Sequence, residues 1–259
     1  MMPVVDAGVS LSQNEFSFNE YLHGSKQFHV LRMVAVQHQQ AVATGSQELT
    51  FFQTQATTRG LGGFPNAIVA SVDLLSPSVI KNLVDVQALE NLRGVCHRFV
   101  PPYDVCIQSD WEQSLKLLAK KRLCLDLFAA QASDAIIVKM AAYKPELNII
   151  LNIAGGAQSR VQNTTQRLAL LAKYDNIHLK ICGAECLTSG ANNSLVSLIN
   201  SAIALFGFER IMFASGVYQH SAENAFDQLW TQYVNACSSL SANYRDCLFR
   251  TNAIRVYGL

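Results

Sequence analysis

The stretch "NIHLKICG" (residues 176–183), "NNSLVSLINSAIALFG" (192–207) and "RIMFASG" (210–216) decides the fold. It opens with a short β-rich run and closes with another, both nearly continuously apolar, as strands buried on both faces are. Between them Leu195, Leu198, Ile199, Ile203 and Leu205 recur at helical spacing, and Gly207 stands where a helix takes its C′ residue. That is one strand–helix–strand unit, and the same wording recurs along the chain. Further runs are "PVVDAGV", "HVLRMVAVQ", "AIVASVDL", "LRGVCHRFV", "LCLDLFA" and "NIILNIA". Their starts are about 25 to 37 residues apart, the length of a strand, a helix and two loops. Alternating β and α units with eight strands predict an α/β chain folded as a single (β/α)8 TIM-type barrel over residues 1–259.

An open doubly wound sheet is the rival, but it calls for a glycine-rich phosphate turn after the first strand, and "DAGVSLSQ" offers only Gly8. Helix starts are marked by Ser76 with Pro77, and by Ser109 with Glu112 at capping-box spacing. Phe226, Leu229, Trp230 and Tyr233 form a stripe that reads as core packing. No Pro/Gly/Ser-rich linker divides the chain.

Composition excludes several classes. The 259 residues are 50% hydrophobic and 15% charged with a net charge of +1, so no broad field draws nucleic acid or an acidic membrane. The first residues lack a basic region followed by an apolar one, and no apolar run is long enough to span a bilayer. Seven scattered cysteines fit free thiols in a reducing, cytoplasmic setting; Cys182 and Cys186 have no second pair at metal-site spacing.

The phrases "FGFERIMFASG", "NLRGVCHRFVP", "CLDLF", "PELNIILNIAGGA", "YDNIHLKICG" and "LFRTNAIRVYGL" together resemble the amidohydrolase-related family, in particular its dicarboxylate and sugar lactonase-like branch. The resemblance runs from the first strand to the last residue. It implies catalytic groups at the C-terminal ends of the strands. In metal-using members a His-x-His pair follows the first strand, further histidines follow later strands, and an Asp follows the eighth. Such a set holds a divalent ion that polarises a carbonyl and acidifies a water. Here Gly8 and Ser10 stand in the paired-histidine slots beside a retained Asp6, Ile153 stands in an Asn-His-Gly-like phrase, and Gly216 holds the terminal Asp slot. Against that pattern no metal and no other cofactor is expected.

The polar residues left near strand ends are the candidate site. His97 is a candidate acid or base, Lys180 a candidate oxyanion or carboxylate clamp, and Asp126 a candidate catalytic acid; each has a structural alternative. For Lys180 that alternative is a salt-bridged interior charge, with Asp126 or Asp6 as partner. Arg98, His38, Asn152 and Ser215 are candidate substrate contacts, whereas His220 reads as a solvated loop residue and Asp73 as structural. Arg98, Arg160 and Lys180 favour a small anionic ligand. Two functions remain open. One is a hydrolase of a small carboxylate lactone or ester that works without a family-type metal site. The other is a pseudoenzyme acting as a ligand-binding or oligomeric interaction protein, and homo-oligomers stay open with it.

Overall fold

The computed structural model describes residues 1–9, 21, 27–37, 49–50, 52–57, 64–76, 78–86, 89–97, 99, 109–129, 132–154, 165–182, 192–216 and 225–259. Eight parallel strands follow one another in chain order: β1 (Met2–Val9), β2 (Phe28–Val36), β3 (Ala67–Ser71), β4 (Leu92–His97), β5 (Cys124–Phe128), β6 (Ile149–Ala154), β7 (Ile177–Cys182) and β8 (Ile211–Ala214). The ring is drawn together between its first and last strands. Just past β8, the Gly216 N–H donates to the Gly8 carbonyl (2.9 Å) and the Ser215 N–H donates to Asp6 Oδ1 (2.8 Å). This is the expected barrel.

Among the described helices, α1 (Val79–Val86), α2 (Ser109–Lys120), α3 (Asp134–Tyr143), α4 (Thr165–Leu171), α5 (Asn192–Phe206) and α6 (Ala225–Ala236) follow strands and cover them from outside. A short α7 (Ala242–Asp246), a π-helical turn (Cys247–Thr251) and α8 (Asn252–Tyr257) complete the chain. Helix α5 ends where expected: Gly207, at φ 69°, takes the left-handed conformation that suits a residue without Cβ. Helix α2 begins at Ser109. Pro77 lies outside the described residues.

Strand alternation sorts the buried side chains into two shells. An outer shell between strands and helices contains Val95, Leu125, Leu151, Ile153, Leu179, Phe213 and the predicted stripe of Phe226, Leu229, Trp230 and Tyr233. A smaller inner shell contains Val69, Cys96, Cys124, Ile150, Met212 and Ala214 together with Val256 and Tyr257 of α8. Helix α8 reaches the inner shell because it lies under the N-terminal ends of the strands. Asn252 Nδ2 donates to the carbonyls of Phe208 (2.6 Å) and Ile211 (2.7 Å), and the thiol of Cys124, the first residue of β5, meets the Val256 carbonyl at 3.0 Å. The last helix is therefore the floor of the barrel, and the site lies above it.

Candidate active site

The inner face of β7 carries His178, Lys180 and Cys182, because Ile177, Leu179 and Ile181 pack outward. By the same alternation β5 turns Asp126 inward. Lys180 and Asp126 are both fully buried, and their side chains meet across β6, Nζ to Oδ2 at 2.5 Å. Of the two partners expected for Lys180, the structure gives Asp126.

A third group completes the cluster. Lys180 Nζ donates to the Tyr257 hydroxyl (3.0 Å), which donates to Asp126 (3.1 Å to either oxygen). Burial and the neighbouring carboxylate push the Tyr257 phenol well above its ordinary range, so it stays neutral and keeps its proton for Asp126. An ammonium and a carboxylate removed from water need this kind of closure, since each unsatisfied charge is costly. The sequence reading did not single out Tyr257. Its only signal was its place in "LFRTNAIRVYGL", which marks a family ending and says nothing of a hydroxyl 131 residues away from its partner.

Asp6 belongs to a different cluster. It accepts from the Tyr21 hydroxyl (2.8 Å), the Gly8 N–H (3.2 Å) and the Ser215 N–H (2.8 Å), and the Ser215 hydroxyl also bonds to it. Burial raises its carboxyl above the usual range, against the pull of those donors. Ser215 is thus committed to the β1–β8 seam. Asn152 faces inward beside Lys180, where its amide donates to the Leu127 carbonyl (3.2 Å) and the Cys182 thiol lies 3.9 Å from its Oδ1.

His97 sits elsewhere. Its neighbour Cys96 takes the inner face of β4, so the imidazole turns outward against Phe99 (ring centroids 4.5 Å apart). Nδ1 lies 3.2 Å from the Leu74 N–H and 3.4 Å from the Val72 carbonyl, and Nε2 is a buried atom with no partner among the described residues. Burial lowers its pKa. Asp73, half exposed, accepts from the Leu75 N–H (3.0 Å) and stands 3.8 Å from the ring, a turn-forming role. Lys180, Asp126 and Asn152 are brought to one place; His97 turns its side chain to the other face of its strand. His38, Arg98, Arg160, Ser10, Cys186 and His220 lie outside the described residues.

Three of the slots that the resemblance assigns to metal ligands, at positions 8, 153 and 216, lie among the described residues. Gly8 has no side chain, and a Cβ there would lie 3.4 Å from Lys180 Nζ and 3.3 Å from Ala214 Cβ. Gly216, at φ 59°, holds a left-handed backbone that a side-chain-bearing residue adopts only with strain. Ile153 packs in the outer shell, so position 153 turns away from the barrel interior, and Asn152 is the inward residue of that phrase. Among the described residues no group of three His, Cys, Asp or Glu side chains could hold a metal ion.

The fold is a (β/α)8 barrel that carries a strand-borne polar cluster in its interior. The amidohydrolase family model matches residues 29–259, and the chain belongs to that family. An uncharacterized protein, y4mH, of Sinorhizobium fredii (strain NBRC 101917 / NGR234) is 26% identical over 209 residues, 75% of this chain and 70% of that protein. Among solved structures, an amidohydrolase from Burkholderia multivorans with bound zinc superposes with a TM-score of 0.73 at 16% identity, covering 99% of each chain. A probable 2-pyrone-4,6-dicarboxylic acid hydrolase from Acinetobacter baumannii with citric acid bound gives 0.69 at 13% identity, covering 100% of this chain and 99% of that one. At these identities the likeness establishes the fold. Among the described residues no helix is long and apolar enough to cross a membrane.

Proposed function

We propose that the protein hydrolyses a small carboxylate lactone or ester, with a lysine in the role of electrostatic catalyst and no divalent ion at the family positions. The observation that carries this reading is the Lys180–Asp126–Tyr257 cluster, set inside a family barrel. A buried ammonium is a fixed positive charge in a low-dielectric setting, where stabilising a developing oxyanion is strongest. Asp126 and Tyr257 hold that ammonium in place. Two of its three N–H donors have acceptors among the described residues, leaving one for a ligand oxygen. Water adds to the carbonyl carbon, the ring or ester C–O bond breaks, and the water's proton ends on the departing oxygen. Small di- and tricarboxylates, the chemistry named for the Acinetobacter neighbour, offer oxygens to that remaining donor. Arg98 and His38 are carried as further contacts at the mouth, and His97 as a positioning residue for the loop after β3.

The test is turnover of a panel of carboxylate lactones and esters in the presence of a chelator, with Lys180→Met alongside. Turnover that survives chelation and falls about 10²–10³-fold in Lys180→Met supports the reading. Loss of turnover on chelation overturns it. Carboxylate binding without any turnover replaces it with a binding role for the same barrel.

A further inference from the structure

A hydroxyl outside the cluster points to the other half of a ligand site. Ser71 is the last residue of β3, and alternation turns it inward: Ala67 and Val69 belong to the inner shell, Ile68 and Ala70 to the outer. Its backbone N–H donates to Gln37 Oε1 at 2.7 Å. Its side-chain Oγ is buried and has no partner among the described residues. An unmade hydrogen bond at a buried hydroxyl is a standing cost to the folded chain, which alanine at the same place would avoid.

The register shows what that hydroxyl faces. Ser71 pairs with Cys96 on β4, and Cys96 pairs with Asp126 on β5, so the three share one rung of the ladder and all point inward. Two strand spacings, about 10 Å, separate Ser71 from Asp126 along that rung. Asp126 holds Lys180, so the rung runs from a hydroxyl with no partner among the described residues to a buried ammonium. We infer that Ser71 is a ligand-binding residue, and that its hydroxyl meets one polar end of a small di- or tricarboxylate whose other end meets Lys180. The inference rests on the anionic substrate class proposed above and adds a specificity contact to it. A monocarboxylate lacks the second oxygen group and gains little from Ser71. A dicarboxylate gains a hydrogen bond at each end.

The inference makes two demands with opposite signs. Ser71→Ala removes an unsatisfied hydroxyl, leaves the backbone bond to Gln37 in place, and raises the melting temperature of the ligand-free protein by about 2 °C. The same variant weakens binding of citrate, used as the tricarboxylate probe and followed by calorimetry, about tenfold. Acetate binding, which spans one end only, stays the same in both proteins. A ligand-free Ser71→Ala protein no more stable than wild type overturns the inference, as does an equal citrate affinity in the two. Wild-type protein blind to citrate also overturns it. If such protein still turns over lactones independently of metal, only this inference falls, because the turnover panel reads the hydrolase proposal separately.

Discussion

At the scale of single residues, the Lys180–Asp126–Tyr257 triangle concentrates the molecule's electrostatics. Removing one corner leaves the others exposed to the low dielectric without compensation. Asp126→Ala strands a buried ammonium and is expected to cost about 3–5 kcal/mol in a denaturant titration. The paired change Lys180→Met with Asp126→Leu removes both charges and is expected to cost much less, a non-additivity that a double-mutant cycle measures. Tyr257→Phe keeps the ring and loses one donor and one acceptor, so a loss of about 2 kcal/mol is expected from the same measurement. The charged residues of this triangle were legible in the sequence as strand-borne groups inside a barrel. The phenol was not, because nothing local ties position 257 to position 126. Position 153 shows the converse failure: family wording placed Ile153 at the site, while the one-residue alternation of β6 assigns it to the helices and gives Asn152 the interior.

At the scale of elements, the eight strands were readable because buried parallel strands announce themselves as short apolar runs at regular spacing. The stripe on α6 and the stop at Gly207 were readable for similarly local reasons. Element α8 was not. Its six residues carry no strong periodic signal, and their importance comes from docking under the barrel. Asn252 fixes that docking, since its amide reaches two carbonyls at the start of β8 and just before it. Asn252→Ala leaves those groups without their donor, and a loss of about 2–3 kcal/mol is expected, seen as a lower denaturant midpoint at unchanged slope. His97 belongs at this scale too. Strand-end position suggested chemistry, but the direction of its side chain makes it a tie between β4 and the loop after β3.

For the whole molecule, acid sensitivity follows from its buried imidazoles. His178, on the inner face of β7 and bonded to Asn148 Oδ1 at 3.3 Å, is pulled down to about 4 from its ordinary 6.5 by burial and by the nearby charges of Arg255 and Arg210. The folded chain binds this proton less readily than the unfolded chain. Stability is therefore full above about pH 6.5 and is lost as pH falls towards about 4, by about 3 kcal/mol in all. His97, also lowered by burial, adds in the same direction, whereas Asp6, raised by burial from 3.8, works in the opposite sense as pH climbs past that value. His178→Gln is expected to flatten the fall in thermal midpoint between about pH 7 and about pH 4.5 relative to wild type.

The floor of the barrel has a bearing on how the chain is made. A ribosome emits residues 252–257 after all eight strands, so a nascent chain stalled short of them has an open underside. Its lysine and aspartate still lie in water. Dehydration of that ion pair, and its closure by the Tyr257 hydroxyl, must wait for this helix to swing into place. Changes in residues 252–257 act on the interior chemistry, although they are made at the opposite pole from the mouth.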